Sequence, residues 1–226
     1  MPPHKNPTPV LLVTGFGPFA GYPENPSGLI AQAADGLTLE GVRVVGRQIE
    51  VTWRSAWPTI RSAVEEVAPA ALVCLGVCPS PFFRLELIAK NAAPAATDVL
   101  GELPPPGPLL RIVPDGPPAY WSTLPVEWLA ERMEQRRAQL AACDTEQHYV
   151  HTHLWPDAGA YLCNHVFFQA MHFLNGSVPH RGFVHVPRPA TEVPSPSIPS
   201  REEVLAAGAY LVGEVARWLR QQAPAS

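Results

Sequence analysis

Three residues that lie far apart in the sequence have side chains that together could carry out nucleophilic catalysis. Cys163 falls in the opening turns of a predicted helix, where backbone amides and the positive end of the helix dipole favour a thiolate. His185 lies within the apolar run "GFVHVP", and Glu86 lies within "RLELIAKN". A Cys-His-acid triad consists of a thiol nucleophile, a histidine that takes the proton of the thiol, and a carboxylate that orients the imidazole.

Each of these residues also has an ordinary structural interpretation. Cys163 alone could be a small buried hydrophobe, and His185 could be a core histidine whose ring nitrogens are hydrogen-bonded. Glu86 could form an ion pair with Arg84 or Lys90, or lie on an exposed face of its strand. The sequence contains the residue types of a triad without showing that the three side chains meet, so both interpretations stay open at this point.

A second group of polar residues competes for the role of functional site. In "HYVHTH", His151 and His153 alternate and would project from one face of a strand, with His148 before them and Asp157 after them. Two histidines and a carboxylate can bind zinc or iron, but this spacing matches no standard motif, so we expect no metal. The loop "GFGPFAG" has neither the G-x-G-x-x-G pattern nor a P-loop lysine, which argues against nucleotide binding.

Length and composition restrict the class of protein. The chain has 226 residues, of which 46% are hydrophobic and 16% charged, as expected for one large, well-packed domain. A net charge of −4 provides no basic field to attract nucleic acid. No apolar run approaches the roughly 20 residues that span a membrane, and "MPPHKNPTP" does not resemble a signal peptide. We therefore expect a cytoplasmic protein whose four cysteines are thiols.

Short apolar strands alternate with amphipathic helices along the chain. The predicted strands are 10–16, 42–51, 71–77, 82–91, 148–153 and 182–187, with 82–91 as the neighbour of 71–77. The predicted helices begin at Pro58, cover 125–140 and 158–174, and end with a helix that Ser200 and Glu203 cap.

This alternation predicts an α/β fold. We expect a single domain over 1–226, a three-layer αβα sandwich with a mainly parallel, mixed central sheet. Residues 1–8 are expected to be flexible, and 92–118 forms a proline-rich loop. Because ligands of such sheets bind at the carboxyl ends of the strands, the segments "TGFGPF", "LELIAKN" and "GFVHVP" are the places to look for a site.

Five segments give the chain a resemblance to a known family. In order they are "LLVTGFGPFAGYPENPS", "ELIAKN", "STLPV", "AGAYLCNH" and "GFVHVP", and their order and approximate spacing resemble those of the pyroglutamyl peptidases. That family consists of cytosolic cysteine peptidases with one α/β domain, a Glu-Cys-His triad, no cofactor and frequently a homo-oligomeric state. The resemblance places the triad on Glu86, Cys163 and His185, and it implies a dimer or tetramer.

The resemblance also implies the substrate, a peptide with an N-terminal pyroglutamyl residue. Pyroglutamate is a neutral five-membered lactam, so its pocket needs flat apolar walls and a few amide partners rather than a counter-charge. Phenylalanines of the first loop line the ring in the family, which implies Phe16 and Phe19 here; they could instead simply pack beneath the loop. Asn25 and Val77 complete the predicted substrate-binding residues.

The chain departs from the family pattern at two positions near the predicted site. Val77 follows Gly76 where relatives usually have glutamine, and Leu87 follows Glu86 where they usually have arginine. Two other functions stay open: a thiol amidohydrolase that acts on another small cyclic or N-blocked amide, and a non-catalytic homologue that binds pyroglutamyl groups.

Overall fold

A mixed β-sheet forms the centre of the molecule. The computed structural model describes residues 8–19, 23–93, 96–104, 111–143, 150–190 and 197–222. The strands are β1 Val10–Phe16, β2 Thr38–Leu39, β3 Val42–Ile49, β4 Ala71–Cys78, β5 Phe83–Lys90, β6 Ala119–Trp121, β7 Thr152–Asp157 and β8 His180–Pro187. The helices are α1 Pro26–Ala34, α2 Ala56–Val67, α3 Val126–Cys143, α4 Leu162–Phe173 and α5 Arg201–Gln222. The strand order is β2-β3-β1-β4-β8-β5-β6. β7 lies outside this order and pairs with β5 in parallel.

Helices cover both faces of this sheet. One apolar cluster packs α2 and α4 against one face, and a second cluster packs α1, α3 and α5 against the other. All seven residues of β1 are buried, as its uninterrupted apolar run predicts for a strand covered on both sides. The predicted three-layer α/β architecture with a mainly parallel, mixed sheet is confirmed. No helix in the described part of the chain is long and apolar enough to cross a membrane.

The predicted neighbour of β4 is wrong. β5 follows β4 directly in the chain, but β8 lies between them, parallel to β4 and antiparallel to β5. Alternation of apolar and polar residues determines which face of the sheet a side chain occupies, and it carries no information about the partner strand. The order matters for function because it puts His185 on the strand between β4 and β5.

The helix boundaries agree with the sequence within a few residues. The capping box at the start of α5 is present, since the Ser200 N–H donates to Glu203 Oε2 at 2.6 Å and the Glu203 N–H donates to Ser200 Oγ at 3.2 Å. The last predicted strand before α4 is shifted: β7 begins at Thr152, and 148–149 lie outside the described residues. So do 1–7 at the amino terminus and 94–95 and 105–110 of the proline-rich loop.

The sequence analysis missed α1. Asn25 caps this helix by accepting the Ser27 N–H at 3.1 Å, and Pro26 occupies its first position. A stretch rich in proline, asparagine and serine is typical of a loop, but the same residue types also begin helices. Residues 23–25 therefore lead directly into a helix.

Candidate active site

Cys163 lies where α4 meets the carboxyl end of β4. It is the second residue of α4 and is partly exposed. Its sulfur lies so close to Gly76 that a Cβ atom added to that glycine would be 2.8 Å from Sγ. A larger residue at position 76 would displace the thiol, so the glycine leaves the space that the sulfur occupies.

His185 and Glu86 form a buried pair beside this thiol. His185 Nδ1 donates to Glu86 Oε1 at 2.7 Å, with Glu86 completely buried and His185 only 7% exposed. The Cys163 side chain is near enough to the imidazole to raise the pKa of His185. The three residues that the sequence analysis singled out are therefore brought together, in the order thiol, imidazole, carboxylate.

The alternative ion pairs considered for Glu86 do not form. Lys90 Nζ instead contacts Asp157 Oδ1 at 2.8 Å. The guanidinium of Arg84 stacks on Trp155, with Cζ 4.1 Å from the ring centroid. This leaves His185 as the hydrogen-bond partner of Glu86 within the described residues.

The electrostatics of the pair follow from burial and from mutual contact. Burial alone would lower the pKa of His185, but the charge of Cys163 and the hydrogen bonds to Cys163 and Glu86 raise it to about 10. Burial raises the pKa of Glu86 above its ordinary value, against the opposing effect of His185. Both shifts keep a proton on the His185–Glu86 pair, next to the sulfur of Cys163.

A neighbouring residue that sequence reasoning missed holds α4 in place. Asn164 is completely buried. Its Nδ2 donates to the carbonyl oxygens of Lys90 at 2.9 Å and Ala92 at 3.1 Å, and its Oδ1 accepts the Lys90 N–H at 2.8 Å. These three bonds tie the first turn of α4 to the end of β5, the strand that carries Glu86. An asparagine within a predicted helix gave no signal for this contact.

The other three cysteines lie in different environments. Burial raises the pKa of the Cys74 thiol to about 12, so that it stays protonated at neutral pH. Cys78 is buried, with its sulfur 2.9 Å from Ser80 Oγ, and Cys143 is exposed at the end of α3. All four cysteines are free, as expected.

The first loop places its two phenylalanines beside the same core. Phe16 ends β1 and is only 4% exposed, and Phe19 is partly buried against the cluster that contains α2 and α4. Asn25 is also buried, and its Nδ2 donates to the Gly17 carbonyl at 3.0 Å while its Oδ1 caps α1. The side chain of Asn25 thus links Gly17, directly after β1, to the start of α1. A substrate contact of these three residues stays a prediction.

Val77 directly follows Gly76 and is half-buried. Alternation along β4 directs its side chain to the face opposite to that of Gly76, which faces Cys163. Leu87 is also half-buried, one residue beyond Glu86. The predicted role of Val77 in substrate binding is likewise untested.

The histidines of the competing group lie on the surface. His151 and His153 are exposed and their rings stack at a centroid distance of 6.1 Å, as expected for side chains on one face. His151 Nδ1 lies 3.5 Å from Glu134, and His153 packs edge-on against Phe82. In the described ranges, no group of three or more His, Cys, Asp or Glu side chains surrounds a possible metal position. His148 lies outside those ranges.

This arrangement is found in cysteine peptidases: a thiol at a helix start, an imidazole beside it and a buried carboxylate behind the imidazole. Together with the α/β fold, they define the chain as a candidate hydrolase of that class.

Comparison with known proteins identifies the family. The family model of pyroglutamyl peptidase matches residues 10–207. A pyrrolidone-carboxylate peptidase of Bacillus cereus (strain Q1) is 30% identical over 182 residues, which cover 78% of this chain and 77% of that protein. The crystal structure of the Thermococcus litoralis pyrrolidone carboxyl peptidase is 27% identical, with a TM-score of 0.79 over 95% of this chain and 96% of that one. A mutant of the Pyrococcus furiosus enzyme is 29% identical, with a TM-score of 0.79 over 95% and 100% of the two chains.

The chain therefore belongs to the pyroglutamyl peptidase family. Members of this family are cysteine omega peptidases, which are hydrolases.

Proposed function

We propose that this protein hydrolyses the amide bond after an N-terminal pyroglutamyl residue, with Cys163 as nucleophile, His185 as acid and base, and Glu86 as the group that orients His185. The observation that carries the proposal is the hydrogen bond of His185 to a completely buried Glu86, with the Cys163 thiol near the same imidazole, in a chain of this family. A carboxylate that accepts a hydrogen bond from Nδ1–H keeps Nε2 of the ring directed at the thiol.

The reaction has two stages. The Cys163 thiolate forms a bond to the carbonyl carbon of the pyroglutamyl residue, and the carbonyl electrons move to its oxygen. When the tetrahedral intermediate collapses, the carbon–nitrogen bond breaks and His185 gives its proton to the departing amine. A thioester remains on Cys163. His185 then takes a proton from a water molecule, whose oxygen attacks the thioester and releases pyroglutamate and the thiolate.

Backbone amides at the start of α4 are the donors that would stabilise the tetrahedral oxyanion. Tyr161, the residue before the helix, makes no side-chain capping bond to its first turn. The first bond inside the helix is that of the His165 N–H to the Tyr161 carbonyl, at 3.0 Å. The N–H groups of Leu162 and Cys163 precede that bond, so no hydrogen bond within the helix uses them and they are the proposed oxyanion donors.

Phe16 and Phe19 are the proposed walls for the lactam ring. Both lie beside the cluster that α4 packs on, and neither brings a charge to the site. Burial of the ring against them would contribute on the order of 1–3 kcal/mol. An aminopeptidase, in contrast, needs a group that binds a free α-amine, which pyroglutamate does not have.

The decisive experiment is hydrolysis of a fluorogenic pyroglutamyl amide by the purified protein. Cys163→Ser should fold normally and show only the background rate, whereas Cys143→Ser, at an exposed thiol, should retain full activity. Sub-stoichiometric iodoacetamide should label Cys163 first, in step with the loss of activity, and excess pyroglutamate should slow both.

Other outcomes would favour other functions. Labelling of Cys78 together with an active Cys163→Ser variant would refute the proposed nucleophile. Binding of pyroglutamate without hydrolysis would indicate a non-catalytic homologue, and hydrolysis of other blocked amides alone would indicate a different thiol amidohydrolase. The homo-oligomeric state implied by the family can be measured by light scattering.

A further inference from the structure

The strand order arranges site residues in a row where β1, β4 and β8 end and the antiparallel β5 begins. Successive strands β1, β4, β8 and β5 contribute Phe16, Gly76 with the Cys163 sulfur against it, His185 and Arg84. On β7, the next strand, Trp155 lies two residues beyond the register partner of Arg84. Phe16 thus lies on one side of the sulfur, and Arg84 and Trp155 lie on the other side, beyond His185.

This row gives the substrate a direction, if the proposed function holds. The carbonyl carbon must lie over the Cys163 sulfur, and the departing amine must lie next to His185, which protonates it. The pyroglutamyl ring is then on the Phe16 side. The residue that follows pyroglutamate continues past His185, toward Arg84.

Arg84 has a charge that the described residues do not neutralise with an ion pair. It is the register partner of His185, and directly opposite residues in antiparallel strands have Cβ atoms about 5 Å apart. Its guanidinium lies over the rings of Trp155 and Phe82, with Cζ 4.1 Å and 5.6 Å from their centroids. Its Nε is buried without a hydrogen-bond partner, and it has no salt bridge within the described residues. The charge acts on Glu86 at longer range, where it counteracts the effect of burial.

Two aromatic rings hold this guanidinium in one orientation. Stacking on Trp155 and Phe82 leaves the edge of the guanidinium, which carries the N–H donors, for another group. A carboxylate matches that edge with two parallel hydrogen bonds. Arg84 is half-buried, so water screens the interaction only in part.

We propose that Arg84, supported by Trp155 and Phe82, binds a carboxylate on the residue that follows pyroglutamate and thereby determines which pyroglutamyl substrates are cleaved fastest. The carboxylate has two possible sources. It can be the side chain of an acidic second residue, or the free α-carboxylate of a pyroglutamyl dipeptide. The proposal rests on the proposed function, because the direction of the substrate follows from it.

The test compares kcat/KM for two matched pairs of substrates. The first pair is pyroglutamyl-glutamate amide and pyroglutamyl-glutamine amide, which differ only in the side-chain carboxylate. The second pair is pyroglutamyl-alanine and pyroglutamyl-alanine amide, which differ only in the terminal carboxylate. We expect the acidic member of at least one pair to react about fivefold faster, and the pair that responds identifies the source of the carboxylate.

Variants then assign the preference to Arg84. Arg84→Gln should reduce the acidic-to-neutral ratio to about one, and Arg84→Lys, which keeps the charge without the planar fork, should retain part of it. Arg220→Gln removes an exposed charge on α5 and should leave the ratio unchanged. Circular dichroism and the melting temperature verify that each variant is folded, and the ratio within one preparation cancels differences in active fraction.

Three results would overturn the proposal. The first is a ratio near one in the unmodified protein, and the second is a ratio that Arg84→Gln does not change. The third is an equal loss of kcat/KM on all four substrates in Arg84→Gln, together with a shifted pH profile. That result would show that Arg84 acts through its charge on Glu86 and does not bind the substrate. Hydrolysis of the neutral amides with no acidic preference would refute this subsite alone, whereas no hydrolysis of any of the four would refute the proposed function as well.

Discussion

Removal of the Asn164 side chain should both destabilise the protein and slow the reaction. Asn164→Ala leaves three backbone groups without their partners: the Lys90 N–H and the carbonyl oxygens of Lys90 and Ala92. Lys90 and Ala92 are only half-buried, so water can replace part of each bond, and the lower end of the usual range applies. At about 1 kcal/mol for each bond, we expect the free energy of unfolding to fall by about 3 kcal/mol.

The effect on activity follows from the position of Cys163, the residue that precedes Asn164 in the chain. Without its attachment to β5, the first turn of α4 can move relative to Glu86 and His185. A displacement of about 1 Å can lower kcat by about 100-fold, with a smaller change in KM. Loss of alignment should also slow alkylation of Cys163.

The matched control is Asn175→Ala, at an exposed asparagine beyond the other end of α4 whose Oδ1 lies 3.4 Å from an Arg181 nitrogen. Urea unfolding, steady-state kinetics and the iodoacetamide rate measure the three effects. If Asn164→Ala unfolds at the same urea concentration as the unmodified protein and retains its kcat, Asn164 does not position α4 and the reasoning is refuted.

Three further results are expected. Glu86→Gln keeps the shape of the side chain but removes the charge that stabilises the imidazolium, so kcat should fall by about 100-fold and more than KM rises; an unchanged kcat would reduce Glu86 to a structural role. Dialysis against a strong chelator should leave turnover unchanged. Activity that is lost on dialysis and restored by zinc would instead indicate a functional metal site at the exposed histidines. Burial lowers the pKa of His165 from 6.5 to about 4, so between these pH values the unfolded chain binds a proton that the folded chain excludes. Acid should therefore destabilise the fold through this group by up to about 3 kcal/mol, and His165→Phe should remove that part of the decline in urea unfolding titrations; an identical decline would contradict the assignment.

The sequence is sufficient to predict the residues of the candidate site and the elements on which they lie. Cys163 was predicted in the opening turns of a helix and is the second residue of α4. A titratable side chain on an interior strand needs a partner, which marks His185 and Glu86 as candidates, and each is the hydrogen-bond partner of the other. This inference is local, since burial of a polar group follows from the apolar residues around it in the sequence.

What the sequence could not provide depends on contacts between distant segments. The pairing of β8 with both β4 and β5 is not encoded in the alternation of any strand, and the wrong neighbour was predicted as a result. The bonds of Asn164 and the stacking of Arg84 on Trp155 depend on how α4 and β7 meet β5. Residue type and spacing alone are equally consistent with a surface asparagine and a surface arginine.

The central position of β8 has a consequence for the biosynthesis of this protein. Glu86 and His185 are separated by 99 residues, and the strand that carries His185 is the last of the sheet to be synthesised. While the ribosome is still making the chain, Cys163 is present without the histidine proposed as its base, and β4 and β5 each have an edge open to β8. A nascent or truncated chain that ends before β8 therefore contains the proposed nucleophile without the proposed base. The proposed mechanism predicts that turnover during refolding first appears when β8 enters between its two neighbours.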